Sequence, residues 1–269
     1  MTRTISLINN KGGVGKTTST LNIGIALSIK GKKVLLVDID PQGNLSDAFI
    51  NINQLQYTIK DLIEGNITDI NQVIKRQVKP NIDLLPSNNL LNGTEGNIIN
   101  KMAKETLLKR IIDPIKSNYD YVLIDCMPSL GMITINALAC ADKVIIPVQS
   151  EFLAAKGMSH LLNTVLKVRK QINPNLKVGG ILLTMVDGRT NLSKDIANEL
   201  RSTYGTVFKL YDNQIPRGVK AAESSRMGES VLSYDSSSKV AQSYIDFAKE
   251  VLDYERKEKT RNSDGLQAR

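Results

Sequence analysis

The chain of 269 residues has no tryptophan, four phenylalanines, two cysteines and a single histidine. With so few aromatic rings, a surface that stacks successive nucleic-acid bases on aromatic platforms is not expected. Cys126 and Cys140 have no C-x-x-C spacing, so a metal role is not expected and both read as small core residues of a reducing compartment. His160 has no acid or serine constellation around it and reads as structural. No apolar stretch approaches the ~20 residues that a membrane span requires. A secretory leader is not expected either, because charge and a glycine-rich loop fill the first 16 residues. A chain of this length builds its core without disulfides or metals, as one large domain or two small ones.

What is present is positive charge, distributed unevenly. The net charge is +8. Residues 1–150 carry 16 Lys/Arg against 13 Asp/Glu, and residues 151–269 carry 19 against 14. A basic second half points to an anionic partner such as nucleic acid, with many exposed lysines as the plainer alternative.

Short apolar runs alternate with helical patterns along the chain. Strands are expected at Thr4–Asn9, Lys33–Asp38, Ile82–Pro86, Tyr121–Asp125, Lys143–Val148 and Val178–Thr184, with a weaker one at Thr206–Leu210. Continuous apolar runs suit strands buried on both faces of a parallel sheet. Helices are expected at Thr17–Lys30, Lys101–Lys116, Gly131–Ala141, Leu153–Gln171, Asn191–Tyr204 and Ser238–Glu255, with short stretches at Ile59–Glu64 and Asp69–Val73. Repeated βα units imply an α/β fold: a mostly parallel twisted sheet flanked by helices, with ligands at the carboxyl ends of the strands. Residues 1–255 are read as a single domain. Residues 256–269 are charged, lack an apolar period and are expected to be disordered.

The most informative segment is Asn9-Asn10-Lys11-Gly12-Gly13-Val14-Gly15-Lys16-Thr17-Thr18. It lies between an apolar strand and a helix, the context of a phosphate-binding loop. Its glycines allow a sharp turn with N–H groups aimed inward, and the helix N-terminus adds partial positive charge. Lys16 is placed along the β- and γ-phosphates and the Thr17 hydroxyl on Mg²⁺. The usual first glycine of the pattern is absent; Asn10 stands there. Three carboxylates follow apolar strands: Asp38, Asp40 and Asp125. Parallel strands end at one edge, so all three can approach the loop. Asp125 suits Mg²⁺, often through water, and Asp40 can orient or deprotonate an attacking water. Each acid alone is as readily a strand-end cap.

Together these segments resemble a known family. Lys11 to Thr18 is a deviant Walker A motif, Asp38-Ile39-Asp40-Pro41-Gln42-Gly43-Asn44 resembles Walker A′, and Ile124-Asp125-Cys126-Met127-Pro128-Ser129-Leu130-Gly131 resembles Walker B. The combination is similar to the ParA/Soj DNA-partitioning ATPases of the MinD/ParA group, over roughly residues 2–255. The resemblance implies a P-loop NTPase-like fold, ATP and Mg²⁺ as cofactors, and a homodimer formed with ATP. It implies that Lys11 reaches the partner's phosphates and that Gly12 sits where the subunits touch. Asp40 matches the family's catalytic aspartate and, with Thr17 and Asp125, stands on the metal side of the site. Gly13, Val14, Gly15, Lys16 and Thr18 cradle the nucleotide, and Pro216 and Arg217 match the segment against adenine. Gly218 departs from the family's asparagine, and Met127 replaces its usual proline.

The resemblance further implies binding of DNA without sequence preference, with Arg189 matching one contact position. Lys194 and Arg201 share one face of the Asn191–Tyr204 helix, opposite Leu192, Ile196 and Leu200. Arg217, Lys220 and Arg226 follow. A solvated face with Asp195 and Glu199 is the alternative for Lys194 and Arg201. A ParB-like centromere-binding partner would stimulate hydrolysis, in the cytoplasm on the nucleoid. A membrane-cycling regulator like MinD needs an apolar tail helix that is missing here. An iron–sulfur carrier needs a C-x-x-C pair, and a small-molecule synthetase on the same scaffold would act without DNA.

Overall fold

A computed structural model describes residues 2–150 and 154–267. In chain order its elements are β1 (Arg3–Leu7), α1 (Lys16–Ile29), β2 (Val34–Ile39), α2 (Asn44–Asp47), α3 (Ile59–Glu64), β3 (Lys75–Lys79), β4 (Ile82–Leu85), α4 (Thr94–Ile98) and α5 (Leu107–Ile112). There follow β5 (Tyr121–Cys126), α6 (Met132–Cys140), β6 (Lys143–Gln149), α7 (Ala154–Gln171), β7 (Lys177–Thr184), α8 (Asn191–Tyr204), α9 (Val219–Arg226), α10 (Val231–Tyr234) and α11 (Lys239–Gln267). The seven strands form one sheet in the order β3-β4-β2-β5-β1-β6-β7. All neighbours are parallel except β3 and β4.

The apolar runs become strands because each face of the sheet meets its own layer of helices. In β2, Leu35, Val37 and Ile39 face a core shared with α3, α5, α6, α7 and α8. Val34 and Leu36 face the opposite core, shared with α1, α10 and α11. Burial of both faces removes any polar–apolar alternation from these strands. β1 lies between β5 and β6, so the loop after β1 emerges mid-sheet, beside the carboxyl end of β5. Behind it, Ser19 of α1 and the Tyr244 hydroxyl of α11 are hydrogen-bonded at 3.2 Å, tying the helix that follows the loop to the last helix.

Several expectations change. Lys75–Lys79 is an additional, charged edge strand. Thr206–Leu210 forms no strand; Leu210 contributes one bridge to Ile181. The helix expected over Lys101–Lys116 is reduced to Leu107–Ile112 between two 3₁₀ turns, because Ala103 is left-handed at φ +50° and Pro114 ends the continuation. α11 runs as far as Gln267. Glu258 is held by the buried Lys143 at the start of β6, which carries the helix past Glu255. Leu153 and residues 268–269 lie outside the described residues. Both cysteines are free thiols in the core, and His160 is an exposed position on α7. Among the described residues, no helix is long and apolar enough to cross a membrane.

Candidate functional site

The loop from Asn9 to Gly15 is held at both ends by side chains. The Asn9 amide donates to the Pro147 carbonyl at 2.7 Å, and its oxygen accepts the Lys11 backbone N–H at 2.9 Å. On the far side, the Thr184 hydroxyl at the end of β7 donates to the Val14 carbonyl at 2.9 Å. Gly13 and Gly15 adopt φ values of +74° and +84°, a region that side chains disfavour. Gly15 caps α1 without a side-chain hydrogen bond, and no acid sits in the first turn. The amide donors of that turn are thus presented together with the positive end of the helix. Thr18, the next residue in that turn, is half-buried.

Lys16 is only 6% exposed, and its ammonium donates to the Lys11 carbonyl at 3.0 Å, across the loop. Burial pulls its pKa down, opposed by the nearby carboxyls of Asp125 and Asp40. The Thr17 side chain lies beside the Asp125 carboxyl, and the Thr20 hydroxyl approaches its Oδ1 at 3.4 Å. Asp125 is fully buried and its Oδ2 has no hydrogen-bond partner. Burial, with Asp38 beside it, pushes its pKa well above the ordinary carboxylate range. A buried carboxylate oxygen without a donor, next to a threonine hydroxyl, is a hard-oxygen donor set that fits Mg²⁺. Among the described residues no three His, Cys, Asp or Glu cluster into a cage. Magnesium is commonly held by one or two carboxylates plus substrate phosphates, so the set is of the right kind.

The three carboxylates divide into different tasks. Asp38 and Asp125 are register partners on adjacent strands. Asp38 spends its oxygens on the chain itself: Oδ1 accepts the Asp40 N–H at 3.0 Å, and Oδ2 accepts the Ser46 N–H and hydroxyl at 2.9 and 2.7 Å. Burial nevertheless raises its pKa to about 6. Asp38 is therefore the anchor of the turn that carries Asp40. Asp40 is 8% exposed, with Oδ1 accepting the Gln42 N–H at 2.9 Å. Ser46, which also accepts the Ser87 N–H at 2.9 Å, was not legible as part of the site. Neither was Thr184, although a threonine closing an apolar strand beside the loop strand is a usable signal.

Lys11 and Gly12 lie exposed at the mouth of the loop. Gly12 lacks a positive φ, and a β-carbon there would meet nothing within 4 Å in this chain. Met127 is half-buried against the core, and its carbonyl accepts the Ser129 N–H at 2.9 Å.

Pro216 and Arg217 follow β7 in space. Val186 donates to the Ile215 carbonyl and accepts from the Arg217 N–H, both at 3.0 Å. These segments line an open pocket of about 790 Å³ with Gly188, Arg189 and Gly218. A β-carbon on Gly218 would stand 2.5 Å from Val240 Cγ2, so a side chain there would press against α11. Arg189 is 91% exposed and forks onto Asp187, with Nε–Oδ1 and Nη2–Oδ2 both at 3.0 Å. Lys194 and Arg201 are exposed on α8, whose other side buries Ile196, Ala197 and Leu200; the Leu192 side chain lies outside the described residues. Neither cation pairs with Asp195 or Glu199 among the described residues. Arg217 and Arg226 are exposed, and Lys220 pairs with Glu223 at 3.0 Å.

Comparison with known proteins gives the family and the fold. The AAA domain family matches residues 2–178. The sporulation initiation inhibitor protein Soj of Bacillus subtilis is 42% identical over 252 residues, covering 93% of this chain and 98% of that protein. The chromosome partitioning protein ParA of Caulobacter vibrioides is 39% identical over 94% of this chain and 95% of its own. The chain belongs to the Soj/ParA family. Among solved structures, cobyrinic acid a,c-diamide synthase from Mycobacterium smegmatis with bound ADP and magnesium superposes with a TM-score of 0.84 at 34% identity, covering 95% of this chain and 96% of that one. The fold is that of a P-loop NTPase.

Proposed function

We propose that this chain is a Mg²⁺-dependent ATPase that partitions DNA. The observation that carries the reading is the set of Lys16, Thr17, Asp125 and Asp40 gathered around the uncapped N-terminus of α1. Bound Mg²⁺ supplies charge neutralisation at the β- and γ-phosphates. The loop amides and Lys16 hold the phosphates, Thr17 and Asp125 provide the metal-side oxygens, and Asp40 orients the attacking water. Water adds to the γ-phosphorus and the bond to the ADP oxygen breaks, giving ADP and phosphate. Pro216 and Arg217 border the base.

The site is completed by a second copy in this reading. Gly12 needs neither a special φ nor room within its own chain, which supports an intermolecular reason for glycine there. Lys11 of one protomer then stabilises the transferred phosphoryl of its partner, as an arginine finger does. The ATP dimer holds non-specific DNA through Arg189, Lys194, Arg201, Arg217 and Lys220. A ParB-like partner stimulates hydrolysis and release, on the nucleoid in the cytoplasm.

The test is binding to a random-sequence DNA fragment with ATP, ADP or no nucleotide, alongside dimerisation. Binding only with ATP, lost at raised salt and in Arg189→Ala and Lys16→Ala, is the expected result. Asp40→Ala should retain ATP and DNA while hydrolysis falls by about two orders of magnitude or more. The similarity to a synthase structure favours one second reading, a small-molecule enzyme on this scaffold. An ATP dimer that ignores DNA would move the assignment there.

A further inference from the structure

Away from the nucleotide loop, a groove of about 610 Å³ opens between the segment following α3 and the segment running into α5. Its walls are apolar: Leu62, Ile67, Ile70, Leu107, Ile111 and Ile115. None of the described residues lining it is acidic, and Lys101 and Arg110 stand on its rim. Met102, which also lines the groove, is 91% exposed, and Ile99, outside it, is 59% exposed, so apolar surface continues beyond the groove. A flexible methionine on such a surface adapts to a partner's side chains.

Three cations of this region form no ion pair among the described residues. The Lys101 ammonium donates to the Glu64 carbonyl at the C-terminus of α3. Lys104 donates to the Ile99 carbonyl at 2.7 Å, and Arg110 reaches only the Ala103 carbonyl, at 3.5 Å. Among the described residues none of the three touches a carboxylate. One residue away the pattern reverses: Lys109 pairs with Asp113 at 2.8 Å, as does Lys116 at 2.6 Å. The groove therefore combines an apolar floor with positive charge that no carboxylate of the described residues neutralises.

We propose that this groove docks an amphipathic helix of another protein, its apolar face against the isoleucines and its acidic flanks against Lys101 and Arg110. Helix-in-groove recognition uses this combination of apolar anchors and flanking charge. DNA has no apolar face to offer the floor. The chain's own terminal segment has the wrong sign, with five Lys/Arg against two Asp/Glu over residues 256–269. The assignment stands whether or not the chain hydrolyses ATP.

The probe is a fluorescein-labelled peptide of about 18 residues with leucines at i, i+4 and i+7 and glutamates elsewhere, followed by anisotropy against the full chain. Saturable binding is expected, weakened about tenfold or more in Met102→Asp and in Arg110→Glu. The thermal midpoint should not move, because both side chains are exposed. The same peptide with lysines in place of glutamates should bind far more weakly. Absence of saturation, equal binding of the lysine peptide, or indifference to both substitutions overturns the proposal. So does a self-associated form that Met102→Asp dissociates, which would give the groove to a second copy.

Discussion

Glu95 Oε1 accepts the backbone N–H of Ile133 at 3.1 Å, so a carboxylate from α4 caps the first turn of α6. The cap residue of α6, Gly131, has no side chain to do this. A β-carbon on Gly131 would lie 2.3 Å from the same Oε1, so glycine there is what admits Glu95. Both Glu95→Ala and Gly131→Ala should remove one cap, costing about 1 kcal/mol each. The double variant should lose little more than either single one, because the interaction is the same. Urea unfolding of the four proteins decides it: additive losses would show that Glu95 and Gly131 act independently.

The contact between Gly218 and Val240 sets a second expectation. Gly218 has φ −150°, an extended conformation open to any residue, so space alone forbids a side chain. Gly218→Asn should destabilise by about 1–3 kcal/mol through overpacking against Val240. Combining it with Val240→Ala should recover part of that loss. Thermal unfolding of the single and double variants measures the coupling, and an unrelieved double variant would place the clash elsewhere.

Which features could be read beforehand follows from how much each depends on distant residues. The buried parallel strands were legible because both faces are apolar over four or more consecutive residues, as in Val34 to Val37 and Tyr121 to Ile124. β3 was not, because Lys75-Arg76-Gln77-Val78-Lys79 is a charged edge strand, the composition that keeps sheet edges from pairing further. The phosphate loop and its acids were legible as positions after strands. The separation of their tasks was not: Asp38 resembles a third site carboxylate until Ser46, eight residues on, is seen to occupy its Oδ2. The Arg189–Asp187 fork is equally a matter of local backbone geometry that spacing does not encode.

Glu64 gives a pH-dependent expectation. Burial tends to raise its pKa, but hydrogen bonds from Lys60, Asn97 and Thr94, with the Lys60 charge, outweigh burial and hold it at about 2. A carboxylate depressed in the folded state stabilises above its unfolded value, near 4.5, and loses that contribution as pH falls toward 2. The stability gap between the wild type and Glu64→Gln should therefore be constant near neutrality and close between about pH 4.5 and 2. A gap that stays constant over that window would mean Glu64 titrates normally.

On the proposed DNA contacts, the Arg189–Asp187 fork predicts how affinity responds to salt. If Lys194 and Arg201 each neutralise a phosphate, Lys194→Ala and Arg201→Ala should each flatten the log–log salt dependence by about 0.9, since one condensed counterion fewer is released. Arg189 differs because its guanidinium is already neutralised by Asp187 before DNA arrives. Transferring it to a phosphate leaves Asp187 to attract a cation of its own, so net ion release is smaller. Arg189→Ala should thus cost affinity while flattening the slope by less than Lys194→Ala does. In an Asp187→Asn background the guanidinium starts unneutralised: affinity should rise, and the Arg189→Ala change should grow to the full value. Filter binding across a salt series with ATP present reads all of these slopes. An Asp187→Asn protein with wild-type affinity and slope would show that Arg189 contacts no phosphate in the DNA complex.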